Sequence, residues 1–243
     1  MCRMLAIMSK RRISSSFLHD FRLLAEKGDV LPIAKKSGHK DGWGIVGYQN
    51  HTQIRLGREP KNAMEDPKYE EACERVDQLG LIGSLMAHLR KASKGKVSQE
   101  NTAPLTRDEW CFGHNGTIKN FDISINGLKG ETDSERFFLL LLSRIVNDST
   151  SVEKAIEKTV REIRHSYEYS SLTFLLSNGV RIYAYREFSD PRDSWYYNLM
   201  YAIDKDMVLI SQQKIWYRDW ATIPNKTLVT VMKNLKVCSK SIG

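Results

Sequence analysis

The chain has 243 residues, of which 41% are hydrophobic and 27% are charged, a balance typical of globular proteins that bury a core. No apolar run approaches the roughly 20 residues that a membrane span needs, and the apolar run over residues 4–8 is too short for the core of a signal peptide. We therefore expect a cytoplasmic protein with no membrane partner. The net charge of +8 comes from dispersed basic residues without an RNA-binding motif, so we expect no nucleic-acid partner.

Strands and helices are mixed in the first half of the chain. Apolar and turn-forming residues predict strands over residues 3–8, 53–58, 81–89 and 110–112, and a glycine-rich run over residues 39–48 becomes a further strand. Helices are expected from a serine cap at residues 14–16 to about residue 26, and over residues 65–79. Gly42 and Gly44 open the second strand, and glycines at such positions indicate that backbone passes close to another strand or to a ligand.

Two helices and a series of hairpins make up the second half. Capping boxes at Thr132/Glu135 and Thr150/Glu153 begin the helices. The first helix is apolar nearly all round over residues 137–146, which predicts that it lies between layers. Strands are expected over residues 172–176, 181–186, 197–203, 207–211, 228–232 and 235–238. Strands, then helices, then strands without a repeat or linker predict one α+β domain over residues 1–243, with stacked sheets and outer helices.

Cysteine usage indicates one chemically interesting thiol. The four cysteines are widely spaced and form no C-x-x-C pair, which argues against a zinc site and a disulfide framework. Cys2 directly follows the initiator methionine and is small enough for an aminopeptidase to remove Met1. The α-amine then exposed has a pKa of about 7.7–8.0, so it can take the proton of the thiol on the same carbon. Taken alone, a cysteine at position 2 is more simply read as merely tolerated.

Further polar positions match the two ends of an amino acid that carries a side-chain amide. The guanidinium of Arg90 suits bidentate recognition of a carboxylate. The amide of Asn115 and the N–H of Gly116 can form an oxyanion hole. Asp133, in the first turn of a helix, can accept bonds from an ammonium group or cap the helix. Each position also has an ordinary structural interpretation, and only the combination with Cys2 favours a site.

Six stretches in this order resemble the class II, N-terminal-cysteine glutamine amidotransferases of the Ntn-hydrolase superfamily, in particular the standalone members. They are Met1-Cys2-Arg3, His39-Lys40-Asp41-Gly42-Trp43-Gly44-Ile45, His88-Leu89-Arg90-Lys91-Ala92-Ser93, Glu100-Asn101-Thr102, His114-Asn115-Gly116 and Gly130-Glu131-Thr132-Asp133-Ser134-Glu135. The resemblance implies a four-layer αββα sandwich in which two antiparallel sheets are stacked.

The resemblance also implies the chemistry. Cys2 would attack the glutamine side-chain amide, and Asn115 and Gly116 would hold the oxyanion. Ammonia would then leave as a γ-glutamyl thioester forms, and hydrolysis of the thioester would release glutamate. Arg90 would bind the α-carboxylate, with Ser93 as a weaker candidate, and Asp133 would bind the α-ammonium. No metal or organic cofactor is implied. A separate ammonia-acceptor protein is a possible partner, and the oligomeric state is open.

Two alternatives remain at this stage. The first is a γ-glutamyl peptide hydrolase with the same site, because some standalone relatives cleave such peptides. The loops over residues 28–39 and 94–104 would border its leaving group, and their lysines (Lys35, Lys36, Lys94 and Lys96) suit a departing carboxylate. The second is a non-catalytic binding or regulatory subunit, which would follow if Met1 is retained and Cys2 has no free amine.

Overall fold

The computed structural model describes residues 2–32, 37–81, 83–147, 151–216 and 218–243. In chain order the strands are β1 (Arg3–Ser9), β2 (Trp43–Gln49), β3 (Thr52–Glu59), β4 (Gly83–Leu89), β5 (Leu105–Arg107), β6 (Trp110–Asn115), β7 (Thr173–Ser177), β8 (Arg181–Arg186), β9 (Met200–Asp204), β10 (Met207–Ser211), β11 (Ala221–Thr222), β12 (Thr227–Met232) and β13 (Val237–Ser241). The α-helices are α1 (Ser16–Arg22), α2 (Leu24–Lys27), α3 (Pro67–Leu79), α4 (Asp133–Asn147) and α5 (Val152–Ser166), and a short 3-10 helix covers Pro191–Asp193.

These strands form two antiparallel sheets. The first has the order β11-β9-β10-β1-β4-β2-β3, so β1 lies at its centre between β10 and β4. The second has the order β13-β12-β8-β7-β6-β5. Strand β3 is therefore at one edge of the first sheet and β5 at one edge of the second.

Alternation along β1 shows how the layers are built. Met4, Ala6 and Met8 belong to the core between the two sheets, whereas Leu5 and Ile7 belong to the core under helices α1, α2 and α3. Successive side chains of a strand point to opposite faces, so a strand covered on both faces is a continuous apolar run. The apolar stretch at the start of the chain is thus a central strand of the sandwich.

Helices α4 and α5 cover the outer face of the second sheet. Phe137 of α4 and Ile156 of α5 share a core with Phe112 of β6 and Phe174 of β7. Helix α4 packs against both α5 and β6, as its apolar sequence predicts, although Val146 near its end is exposed. Two helical layers around two stacked antiparallel sheets confirm the predicted αββα sandwich.

Several boundaries differ from those predicted. The expected first helix is divided at Leu23, whose N–H bonds the carbonyl of Asp20 only three residues back. Strands β5 and β11, of three and two residues, were not predicted from the sequence because so short a pattern carries no period.

The two predicted capping boxes have different outcomes. At the start of α4 the N–H of Glu135 donates to Oγ1 of Thr132, as predicted, but the Glu135 carboxylate accepts from the N–H groups of Lys129 and Gly130. Thr150 of the second box lies outside the described residues. The hydroxyl of Ser151 caps α5 by accepting from the N–H of Lys154.

Within the described ranges, no helix combines the length and the apolar character needed to cross a membrane.

Candidate active site

The start of one strand and the ends of two others meet at one end of the sandwich. Strands β1 and β4 are antiparallel, with Arg3 opposite Leu89, so Cys2 lies beside the residue that follows β4, Arg90. Strand β6 of the other sheet packs on β1 and ends at Asn115. The topology therefore brings residues that are far apart in the sequence to one place.

A cleft at this end contains most of the predicted site. Its empty volume, including the part open to solvent, is about 470 Å³. The lining includes five of the six predicted residues, namely Cys2, Arg90, Ser93, Gly116 and Asp133. The sixth, Asn115, is fully buried and accepts a hydrogen bond from the backbone nitrogen of Cys2.

Of the two polar atoms in the side-chain amide of Asn115, one forms a hydrogen bond and the other does not. Its Oδ1 accepts a hydrogen bond from the backbone nitrogen of Cys2 at 2.8 Å. Its Nδ2 is buried and has no hydrogen-bond partner among the described residues. A buried donor without a partner costs free energy, about 1–3 kcal/mol for a neutral group. A substrate oxygen in the cleft could accept from it.

Only glycine fits at position 116. A Cβ atom built there would lie 1.9 Å from the carbonyl oxygen of Ser171 and 2.8 Å from Nε2 of His114. The chain after β6 thus passes directly against the segment that precedes β7, and the backbone of Gly116 is part of the cleft lining without a side chain in front of it.

Arg90 is buried, and the loop after β4 wraps around its guanidinium. Nη1 donates to the carbonyl of Lys96 at 3.1 Å and Nη2 to that of Lys94 at 3.2 Å. Burial lowers the pKa of Arg90, while the charges of Cys2 and Asp41 raise it, so the group stays a cation at neutral pH. The loop and the guanidinium therefore hold each other in place at the cleft.

The Asp41-Gly42 segment supports this loop and does not line the cleft. Asp41 accepts from the N–H of Ala92 through Oδ2 at 2.8 Å. A Cβ at Gly42, which has a φ of +152°, would lie 2.9 Å from Oγ1 of Thr102, and one at Gly44 would lie 2.6 Å from the carbonyl oxygen of Ala103. The close approach predicted at these two glycines is therefore to the loop after β4, and both positions are packing sites.

Asp133 and Ser93 both line the cleft but lie in different environments. Asp133 is the buried first residue of α4, and its Oδ2 accepts from the N–H of Ile118 at 2.6 Å. Ser93 is exposed, and its hydroxyl lies 3.3 Å from Oγ1 of Thr117. The Asp133 carboxylate thus has a structural bond as well as a place in the lining.

Two histidines of the lining were not predicted as site residues. His114 is fixed, with Nε2 3.0 Å from the carbonyl of Ser171, to which it donates, and Nδ1 2.9 Å from Oγ of Ser134. Burial lowers its pKa, which favours the neutral ring. His88 is 2% exposed, and neither of its ring nitrogens has a partner at hydrogen-bond distance among the described residues. The signal for His88 in the sequence is its position two residues before Arg90, because alternate residues of an extended chain point to the same side.

The environment activates the thiol of Cys2. Burial raises its pKa, but the charge of His88 and a hydrogen bond from the Lys91 backbone lower it, so that the resulting pKa is about 6. Burial raises the pKa of Cys73 and that of Cys111 to about 12 each. Cys2 is therefore a thiolate at neutral pH, whereas the two buried thiols are protonated and inert.

Comparison with known proteins identifies the family of this chain. The sequence profile of the class II glutamine amidotransferases matches residues 1–213, most of the chain. The chain belongs to this family. Its members are enzymes that act on the side-chain amide of glutamine.

Individual relatives carry names of the same family. An Escherichia coli protein named "Putative glutamine amidotransferase" is 31% identical, with a match over 60% of this chain and 60% of the relative. A Saccharomyces cerevisiae "Probable glutamine amidotransferase" is 21% identical over 96% of this chain and 82% of the relative. The chain matches only 50–60% of the length of the first three curated relatives.

The structural neighbours support the fold. A class II domain protein from Silicibacter pomeroyi superposes with a TM-score of 0.66 at 20% identity over the full length of both chains. Glutamine phosphoribosylpyrophosphate amidotransferase from Bacillus subtilis has a TM-score of 0.68 at 12% identity, covering all of this chain and 49% of its own. At such identities the similarity shows a shared Ntn-hydrolase fold.

Proposed function

We propose that the protein hydrolyses the side-chain amide of glutamine with Cys2 as the nucleophile. The observation that carries this proposal is the pairing of Cys2 with Asn115. The thiol has a pKa of about 6, and the asparagine that binds the backbone nitrogen of Cys2 keeps a buried, unpartnered Nδ2 donor beside it. A reactive thiolate next to a free amide donor is the arrangement that acyl transfer requires.

The proposed reaction has two steps. The Cys2 thiolate attacks the amide carbon, and the oxyanion is held by Nδ2 of Asn115 and the N–H of Gly116. Removal of Met1, which is part of the proposal, turns the nitrogen of Cys2 into an α-amine. Its protonated form gives a proton to the amide nitrogen of the substrate, and ammonia leaves as the C–N bond breaks. The same amine then activates a water molecule, which hydrolyses the γ-glutamyl thioester and releases glutamate.

The amino-acid end of the substrate would bind on the other side of the cleft. Arg90 supplies the cation for the α-carboxylate, with Ser93 as a further donor, and Asp133 supplies the anion for the α-ammonium. These roles fit the positions of the three side chains in the lining of one cleft. They also fit their charges, because an amino acid presents one group of each sign.

A γ-glutamyl peptide hydrolase is the second candidate, and one observation favours it. Lys91 and Lys94 line the cleft, which is partly open to solvent, so a departing peptide carboxylate would meet cations there. Lys35 and Lys36, which were predicted to border the same space, lie outside the described residues. In either case we propose that residues 1–243 form one amidotransferase-type domain, and that any ammonia acceptor is a separate cytoplasmic protein.

The direct test is incubation of the purified protein with glutamine and with γ-glutamyl dipeptides while glutamate is measured. We expect glutamate release that Cys2→Ser abolishes and that the matched variant Cys238→Ser leaves intact. Intact mass should show the loss of Met1. If Met1 is retained and no glutamate appears, the protein is a non-catalytic member of the family and the proposal is wrong.

A further inference from the structure

A second cleft lies where the edges of the two sheets approach each other. Arg55 and Arg58 of β3 face it from the first sheet and Arg107 of β5 from the second, and Lys129 closes it in front of α4. Its empty volume, including the part open to solvent, is about 640 Å³. Strands β3 and β5 are edge strands, so this cleft is open to molecules from solution.

Among the described residues, none of the four cations of this cleft forms an ion pair at contact distance. Arg55 donates to the hydroxyl of Thr106 at 2.9 Å, and Arg107 donates to the carbonyl of Gly127 at 2.5 Å. Among the described residues, the buried Nε of Arg58 has no hydrogen-bond partner. Burial and the neighbouring charge of Arg55 lower the pKa of Arg58, whereas the charges of Glu100 and Glu135 raise it, and the guanidinium stays charged.

Two carboxylates, Glu100 and Glu135, line the cleft, and each accepts hydrogen bonds from groups other than the four cationic side chains. Glu135 accepts from the N–H of Lys129 at 2.9 Å and from that of Gly130 at 2.7 Å. Hydrogen bonds from its own backbone N–H and from the Ser98 side chain lower the pKa of Glu100. Four cations and two anions leave the lining with two uncompensated positive charges.

We propose that this cleft binds a small molecule through a phosphate or pyrophosphate group. A dianion balances the two excess charges, and its several oxygens match the planar N–H forks of three arginines better than a single carboxylate does. The binding site is distinct from the cleft of Cys2, but the two are neighbours. Leu105 lines both of them, so a ligand bound here lies one side chain away from the catalytic cleft.

The test is calorimetric titration of the full chain with pyrophosphate and with inorganic phosphate at constant ionic strength, without glutamine. The double variant Arg58→Gln/Arg107→Gln should weaken binding at least tenfold, the loss expected when hydrogen bonds to charged groups are removed. The control is Arg161→Gln/Arg192→Gln, which removes the same charge from two surface arginines that form their own ion pairs outside the cleft.

The titration has results that support the phosphate site and results that contradict it. Saturable binding that weakens in the cleft variant and not in the control supports the site, and a preference for pyrophosphate over phosphate indicates a diphosphate ligand. Absence of saturable binding, or an equal loss in the two double variants, overturns the proposal. If circular dichroism shows that the cleft variant is unfolded, Arg55→Gln replaces it, because Arg55 is exposed and bonds only a hydroxyl. Glutamine hydrolysis is not measured here, so failure leaves the proposed function untouched.

Discussion

The backbone nitrogen of Cys2 and the side-chain Oδ1 of Asn115 lie 2.8 Å apart and join the start of β1 to the end of β6 in the opposite sheet. This hydrogen bond fixes the orientation of the Asn115 amide. Because Oδ1 accepts from Cys2, the donor Nδ2 has no partner among the described residues and can bond another acceptor. The proposed oxyanion site is therefore built by a contact between residues that are 113 positions apart.

Asn115→Asp separates the two functions of this side chain. Aspartate keeps an oxygen for the nitrogen of Cys2 but has no N–H to donate, and it adds a negative charge beside the developing oxyanion. We expect kcat for glutamine to fall by roughly a hundredfold or more, with a smaller change in KM. Asn115→Ala should give a similar loss. Near-normal kcat in the aspartate variant, measured by glutamate release, would contradict the role of Nδ2.

Cys2 should be the first thiol to react with an electrophile. At pH 7 it is mostly ionised, with a pKa of about 6, whereas burial raises the pKa of Cys73 and of Cys111 to about 12. A diazo-ketone analogue of glutamine should therefore label Cys2 alone, as read by peptide mass mapping. The Cys2→Ser variant should remain unlabelled. Faster labelling at Cys73, Cys111 or Cys238 would argue against the proposed nucleophile.

His88 should set the pH at which Cys2 becomes reactive. Burial raises the pKa of the thiol and His88 lowers it, so replacing His88 removes a group that stabilises the thiolate. In His88→Gln the pH midpoint of Cys2 alkylation should move from near 6 to a higher value. The matched control is His165→Gln, which changes an exposed histidine on α5. An unchanged midpoint in His88→Gln would show that the histidine has only a packing role.

Arg90 and Asp133 should affect substrate binding more than chemistry. Arg90→Lys keeps the charge but loses the planar fork, and Asp133→Asn keeps an oxygen for the N–H of Ile118 but loses the charge. We expect KM for glutamine to rise roughly ten- to a hundredfold in each, as for a lost bond to a charged group. Thermal melts identify any variant whose loop has been disturbed. A change confined to kcat would reverse the assignment.

The sequence predicts the fold because most of its signals are local. The alternating face of β1, the apolar face of α5 and the glycine at 116 each reflect a period or a steric need that residues nearby reveal. The resemblance to a family adds the order of the motifs. By these two routes the sequence predicts the sandwich, and it nominates six site residues, five of which line one cleft and whose roles remain predictions.

What the sequence did not predict depends on contacts between distant residues. Neither the unpartnered ring of His88 nor the orientation of the Asn115 amide can be derived from spacing, because both follow from the packing of β4 and β6 against β1. The cleft of arginines has the same origin. Arg58 and Arg107 are 49 positions apart and meet only because β3 and β5 are the edges of stacked sheets.

The leaving group is the property for which the cleft offers the sharpest test. Ammonia, the leaving group of glutamine, has no carboxylate that the protein could recognise, whereas the leaving group of a γ-glutamyl peptide has one. Lys94 lines the cleft and could bind this carboxylate. For a peptide hydrolase, Lys94→Ala should lower kcat/KM for a γ-glutamyl dipeptide several-fold while leaving glutamine unaffected. A γ-glutamyl dipeptide whose terminal carboxylate is amidated is the matched control, since it should not respond to the variant.

The ratio of kcat/KM for glutamine to that for the dipeptide then assigns the substrate. A ratio well above one, with kcat/KM for both substrates unchanged in Lys94→Ala, means that the protein is a glutaminase that supplies ammonia. A ratio well below one, with a loss only for the free carboxylate, means that it is a γ-glutamyl peptide hydrolase, because Lys94 then acts on a charge that glutamine's leaving group lacks. The two kcat/KM values are to be measured without an added partner protein, so that an acceptor does not mask the intrinsic preference.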